Sequence, residues 1–218
     1  MTNTVPARDA PFRRGATALL LVDMQRIWLE PGLDPAYPER DADHDFYRHT
    51  SSVTIPNQER ILKTARKHGV EVIHTIIQSL TDDGRDRSLD HKLTPIHVPR
   101  GAAEGLPVPS LAPINDEILI PKTSSGVFNS TNIDYLLKNL GIAQLVVMGI
   151  MTDQCVDMAV RDAADRGYLV VCARDACAAA TQTRHETALA AFAGYCWLTD
   201  THTVIKRIEE MTRDNKYD

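Results

Sequence analysis

Three side chains, far apart in the chain, are of the types needed to break a carbonyl–nitrogen bond: Asp23, Lys122 and Cys155. A thiolate attacks carbonyl carbon readily, but an isolated thiol with a pKa of about 8.5 is mostly protonated at neutral pH. Cys155 lies in GIMTDQC, where an apolar run gives way to a helical pattern. The free N–H groups and dipole of a helix N-terminus favour negative charge, and an ammonium such as that of Lys122 favours it further. A lowered thiol pKa is therefore expected, and the same N–H groups suit a tetrahedral oxyanion. Asp23 is the group to take the thiol proton and return it to a departing amine. Each residue alone has a plainer reading: a cysteine as a small buried side chain, a strand-end Asp as a helix cap, a lone lysine as solvated surface. Their coincidence at one edge of one sheet carries the argument.

That edge follows from the pattern of elements. Residues 16–23 read ATALLLVD, a continuous apolar run ending in a carboxylate, as expected of a strand covered on both faces. Similar runs occupy 70–77 (VEVIHTII), 117–121 (EILIP), 144–149 (QLVVMG) and 168–173 (YLVVCA), with a weaker one at 195–198. Helical periodicity marks 57–68, 131–140, 153–166, 184–192 and 201–211; in the third, Val156, Ala159, Val160, Ala163 and Ala164 form an apolar stripe of small side chains. Alternating strands and helices require right-handed crossovers. The expected fold is α/β, a doubly wound open sheet of six mainly parallel strands with helices on both faces. In such sheets ligands bind beyond the carboxyl ends of the strands. Asp23, Lys122 and Cys155 all fall there. Segments 30–52 and 80–113 break the pattern and read as long loops, suited to lids or subunit contacts.

Composition sets the outer bounds. With 218 residues, 43% hydrophobic and 24% charged, the chain reads as one domain over 1–218, with a polar tail at 1–14. A net charge of −5 argues against nucleic acid as a partner, and the small-molecule reading is preferred. No apolar run approaches the roughly 20 residues of a membrane span. Four cysteines without C-x-x-C spacing, and no apolar leader, lead us to expect reduced thiols and a cytoplasmic location. Cys172 reads as a strand residue, Cys177 as part of the following loop and Cys196 as core, all structural; His74, inside a strand-like run, reads as core or pocket wall. The first strand-to-helix turn, VDMQRIW, lacks the G-x-G-x-x-G of dinucleotide sites, and no cofactor is expected.

Four segments, LLLVDMQ, IPKTSSGVF, GIMTDQCVDMAVRDAADRGY and ARDACAA near Asp175, make the sequence resemble the isochorismatase-like cysteine hydrolase superfamily. That superfamily includes nicotinamidases, N-carbamoylsarcosine amidohydrolases and ureidoacrylate and biuret hydrolases. The resemblance implies a parallel six-stranded sheet and a catalytic triad of Asp23, Lys122 and Cys155. It also implies a cis peptide between Ile150 and Met151, with the backbone N–H groups of Met151 and Cys155 as oxyanion donors. Relatives are usually dimers or tetramers, so a homo-oligomer is implied. The HTIIQSLTDDG segment lacks the Asp and His ligands that nicotinamidases carry after the second strand, so no metal is expected. Cys155 sets the chain apart from true isochorismatases, which cleave a vinyl ether without a cysteine, and favours a C–N substrate. Gln25 and Trp28 follow Asp23 closely and Phe128 follows Lys122, and these three read equally as pocket wall or as core; Gln78, at the end of the second strand, reads as a hydrogen-bonding partner for a urea or amide group. Ether hydrolysis with Asp23 as general acid, and a catalytically silent binding relative, stay open as alternatives.

Overall fold

The computed structural model describes residues 5–35 and 37–213, the side chains of 212 and 213 excepted. The run TALLLV forms β1 (Thr17–Val22), buried at every position. With β2 (Glu71–Ile77), β3 (Ile118–Lys122), β4 (Gln144–Ile150), β5 (Leu169–Ala178) and β6 (Trp197–Thr199) it makes a six-stranded sheet. The order is β3-β2-β1-β4-β5-β6 and every pair is parallel. The chain runs outward from β1 to β3, then returns to β4 on the other side of β1. The carboxyl ends of β1 and β4 thus flank the switch point, where a doubly wound sheet opens a crevice.

Helix α1 (Ile55–Lys67) buries Gln58, Ile61, Leu62 and Ala65, the i, i+3, i+4, i+7 stripe of an amphipathic helix. Further along lie α2 (Ile133–Asn139), α3 (Asp157–Asp165), α4 (Gln182–Phe192) and α5 (Thr201–Glu209). α5 packs on α1, and α3 packs on α4, the two pairs belonging to the two helical layers. In α3 the small side chains Ala159, Val160 and Ala163 face the sheet as the sequence pattern requires. No helix among the described residues is long and apolar enough to cross a membrane.

Several boundaries differ from the sequence reading. Segment 30–52 is not loop throughout: Asp45–His49 is helical and passes through a π-type turn, Thr50–Thr54, into α1. Its Thr-Ser-Ser-Val-Thr stretch has weak helix propensity, and its cap is His44 Nδ1, accepting from the Phe46 N–H, rather than one of the preferred capping side chains. Segment 80–113 contains a short helix, Leu89–Leu93, and two 3₁₀ turns. β5 runs on through Arg174 and Asp175 to Ala178, so Cys177 sits in the strand, 3.9 Å from the Cys172 sulfur, and not in a loop. Within the assigned tail, Phe12 is fully buried and the Arg13 N–H donates to Gln144 Oε1 at 2.9 Å. A short parallel pairing joins Arg13–Arg14 to Thr212–Arg213. His74 is core: its Nε2 lies 3.2 Å from Glu117 Oε2, whose other oxygen pairs with Arg66 at 2.7 Å, and burial lowers the imidazole pKa.

Gly149, in β4, lets the backbone at the switch point close up. Its φ is +141°, and a Cβ there would stand 2.2 Å from the Val22 carbonyl oxygen. Neither backbone can give way without moving Asp23 or the turn after β4. Gly149→Ala is expected to cost about 3 kcal/mol, read as a lower denaturant midpoint at unchanged m-value; a variant within about 0.5 kcal/mol of the parent contradicts this account of the close approach.

Candidate active site

Asp23 is the first residue past β1 and adopts a left-handed backbone, φ +54°, which Asp tolerates better than most residues. Its N–H donates to the Thr75 carbonyl at 3.1 Å, and Oδ1 accepts from the Thr75 hydroxyl at 2.9 Å. β2 therefore fixes the carboxylate that β1 delivers. Lys122 ends β3, two strands away, and its side chain reaches the same place. Its Nζ lies 2.8 Å from Asp23 Oδ2, 2.9 Å from the Ser124 carbonyl and 3.4 Å from Cys155 Sγ. Three acceptors meet the three hydrogens of one ammonium. Lys122 is 0% exposed, Asp23 1% and Cys155 5%.

Cys155 comes from the other half of the sheet. β4 ends in the cis peptide Ile150–Met151, and a π-type turn, Thr152–Val156, leads into α3, with the Val156 N–H donating to the Met151 carbonyl at 3.2 Å. α4 braces this turn from behind: His185 Nδ1 lies 2.8 Å from the Thr152 hydroxyl, and Arg184 pairs with Asp153.

The electrostatics differ from expectation at the sulfur. Burial pushes the Cys155 thiol up to about 12, and the Asp23 carboxylate adds to that, against a smaller downward pull from Lys122. The dipole of the turn and one ammonium do not compensate for complete desolvation. At neutral pH the residue is a thiol beside a carboxylate, not a preformed thiolate. For Lys122 burial again opposes the charged form, but the carboxylate of Asp23 and the sulfur of Cys155 outweigh it and raise the pKa above the ordinary lysine value.

A cavity of about 100 Å³ opens onto Asp23 and Cys155. Trp28, one of the three side chains read as wall or core, lines it, and so does Met151. Gln25 and Phe128, the other two, are not among its lining residues, and neither is Gln78, expected to meet a urea or amide group. Gln25 is fully buried as a strut: its amide donates to the carbonyls of Ile77 (2.9 Å) and Gly105 (2.8 Å) and accepts from the Ile77 N–H (2.8 Å) and Trp28 Nε1 (3.1 Å). Every hydrogen-bonding site of the side chain is used, so none is left for a ligand. Gln78 is half-buried, and its N–H donates to the Lys122 carbonyl at 3.0 Å, holding β2 to β3. Phe128 is core, its ring 6.1 Å from that of Tyr168 and covered by Arg166. Asp175, in the fourth motif, anchors α5: Oδ1 accepts from the Thr201 N–H at 2.8 Å and hydroxyl at 2.9 Å.

The wall also carries Asp34, Tyr37, Arg40, Asp153 and Arg184, which sequence reasoning did not single out. The first three come from the segment between the short helix Arg26–Leu29 and the one at Asp45–His49, with the Arg40 guanidinium stacked 3.5 Å from the Tyr37 ring centre. Asp153 alone carried a signal, as a charged residue inside the GIMTDQC motif. Among the described residues no group of three or more His, Cys, Asp or Glu side chains is arranged to hold a metal ion.

Comparison with known proteins agrees with this fold. The sequence profile of the Isochorismatase domain matches residues 17–203. A ureidoacrylate amidohydrolase RutB of Agrobacterium fabrum is 31% identical over 191 residues, covering 79% of this chain and 81% of its own. An N-carbamoylsarcosine amidase of an Arthrobacter species is 28% identical over 166 residues, 72% of this chain and 58% of its own. A crystal structure of a cysteine hydrolase from Pseudomonas syringae superposes with a TM-score of 0.80 at 25% identity, covering 94% of this chain and 98% of that one. The chain belongs to the isochorismatase family. It is a hydrolase with amidohydrolase relatives.

Proposed function

We propose that this hydrolase cleaves a C–N bond of a small amide, ureido or carbamoyl compound, with Cys155 as nucleophile, Asp23 as proton carrier and Lys122 as the charge between them. The observation that supports it most is the buried Lys122 ammonium, held within reach of both the Asp23 carboxylate and the Cys155 sulfur, two residues that line the cavity. In the first step the thiol proton passes to Asp23 as sulfur bonds to the carbonyl carbon and the carbonyl electrons move to oxygen. The backbone N–H groups of Met151 and Cys155 are the donors we assign to that oxyanion. Collapse of the intermediate breaks the C–N bond, and Asp23 hands its proton to the departing nitrogen, leaving a thioester. Water then gives a proton to Asp23, its oxygen attacks the thioester carbon, and the thiol regains the proton as it leaves. The fixed charge of Lys122 balances the carboxylate in each resting stage and is not itself consumed.

The test is release of ammonia from a panel of primary amides, N-carbamoyl amino acids and ureido acids. Turnover of at least one class supports the reading; pyruvate from an isochorismate-type ether, without ammonia from any of the panel, contradicts it.

Because the thiol pKa lies near 12, both forms of its chemistry have a definite pH signature. Below that value the group is protonated, so alkylation of Cys155 by iodoacetamide is slower at pH 7 than that of a peptide cysteine. Its rate climbs about tenfold per pH unit to pH 10 with no plateau. A plateau at pH 8–9 indicates an ordinary thiol and contradicts the assignment. Turnover, in which Asp23 removes the proton during attack, shows no inflection in that range.

A further inference from the structure

Two guanidinium groups stand on the wall of the cavity that holds Cys155, and they differ in what they already bind. Arg184 is paired with Asp153. Arg40 is half-buried, sits over the Tyr37 ring at 3.5 Å from its centre, and forms no hydrogen bond or ion pair with any described residue, Asp34 included. The ring takes up a face of the guanidinium, whereas the five N–H donors lie in its plane and stay unused. None of the three nitrogens is enclosed by protein, so those donors meet open space. Asp34, on the same wall, opposes an anion, but it is buried where Arg40 is not. Trp28, Ile77, Ile96 and Ile150 add apolar wall. A cavity of about 100 Å³ holds only a small molecule, so a compound whose carbonyl lies at Cys155 meets Arg40 with a group a few bonds further along.

We infer that Arg40 binds a carboxylate of the substrate, so that this site prefers short acids carrying an amide, ureido or carbamoyl group at the other end. This rests on the C–N hydrolase reading above and narrows it. A guanidinium donates two parallel hydrogen bonds to the two oxygens of a carboxylate, each stronger than a bond between neutral groups. Held against Tyr37, the Arg40 fork has less freedom to lose when it binds. The carboxylate is remote from the bond that breaks, so the contact is the same in ground state and transition state. Its loss therefore raises KM rather than lowering kcat.

The experiment measures ammonia release from acids paired with uncharged compounds of the same shape: N-carbamoylglycine with isobutylurea, N-carbamoyl-β-alanine with isopentylurea, and succinamate with 4-methylpentanamide. In at least one pair the parent is expected to favour the acid by about 30-fold or more in kcat/KM, the size of a charge-assisted contact. This comparison needs no variant. In Arg40→Gln, run beside an unfolding curve that should match the parent's, kcat/KM on that acid is expected to fall about 30-fold through KM, and the preference over the uncharged partner to shrink to within about threefold. No preference for the acid in any pair, or a preference that Arg40→Gln leaves in place, overturns the inference, while the ammonia released leaves the C–N reading standing. Ammonia from no member of any pair counts against that reading itself, and this inference falls with it.

Discussion

Cys155→Ala is expected to lose turnover by at least about 10⁴-fold, since removing the proposed nucleophile from a concerted set leaves only binding and charge stabilisation. Cys155→Ser is expected to fall nearly as far, because a serine hydroxyl is a poorer nucleophile and the site holds a carboxylate rather than an imidazole to activate it. Neither change threatens the fold. The residue is small, forms no disulfide and sits at the cavity wall, so a stability cost of about 1 kcal/mol is all that the lost packing implies. The measurement is kcat/KM on a verified substrate beside an unfolding curve. A variant lacking the sulfur that keeps a tenth of the parent's rate points to Asp23 acting as a general acid without covalent catalysis, as an ether hydrolase would use it.

Lys122→Met is expected to have the largest effect on stability. The ammonium is fully buried and 2.8 Å from a carboxylate that is itself 1% exposed. Removing it leaves a buried negative charge with only the Thr75 hydroxyl and the thiol as donors, and breaking such a pair costs about 3–5 kcal/mol. Replacing both partners, Asp23→Asn with Lys122→Met, takes away the uncompensated charge. The double variant should therefore recover about 2 kcal/mol of the deficit while staying inactive. Additive losses from the two single changes, measured by denaturant unfolding, contradict the coupling that the mechanism relies on.

How far the chain discloses these features depends on what each one rests on. Strands β1, β2, β4 and β5 are covered on both faces, so their sequences are continuous apolar runs, and Asp23 and Cys155 stand out as polar residues just past two of them; Lys122 instead ends the edge strand β3, whose Leu119 and Pro121 are exposed. β6, three half-buried residues, has no such contrast. The extension of β5 is hidden by Arg174 and Asp175, whose charges read as a loop although the backbone continues to pair. The helical turn at Asp45–His49 is obscured by an unusual cap and a β-branched, serine-rich continuation.

Within the site, the convergence of Asp23, Lys122 and Cys155 is legible because all three are tied to strand ends, whereas the cavity wall is not. Tyr37 and Arg40 reach it through an aperiodic segment, and nothing in their spacing says which way they turn. Gln25 illustrates the opposite error: a polar residue two positions from Asp23 invites a ligand role, yet it serves the backbone of β2 and of the 80–113 segment. The thiol's raised pKa was equally out of reach, because a local pattern displays the turn's dipole and the lysine but not the depth at which all three groups are buried.

The central claim is that a covalent bond forms between Cys155 and the acyl group of the substrate. It is tested most directly by mixing the enzyme with an excess of the best panel substrate, quenching in acid within the first turnovers and weighing the intact protein. The account predicts a mass increase equal to the acyl group, lost on standing at neutral pH, mapped to the peptide containing Cys155 and absent from Cys155→Ala. Ammonia released at full rate with no adduct on that peptide at any quench time contradicts it.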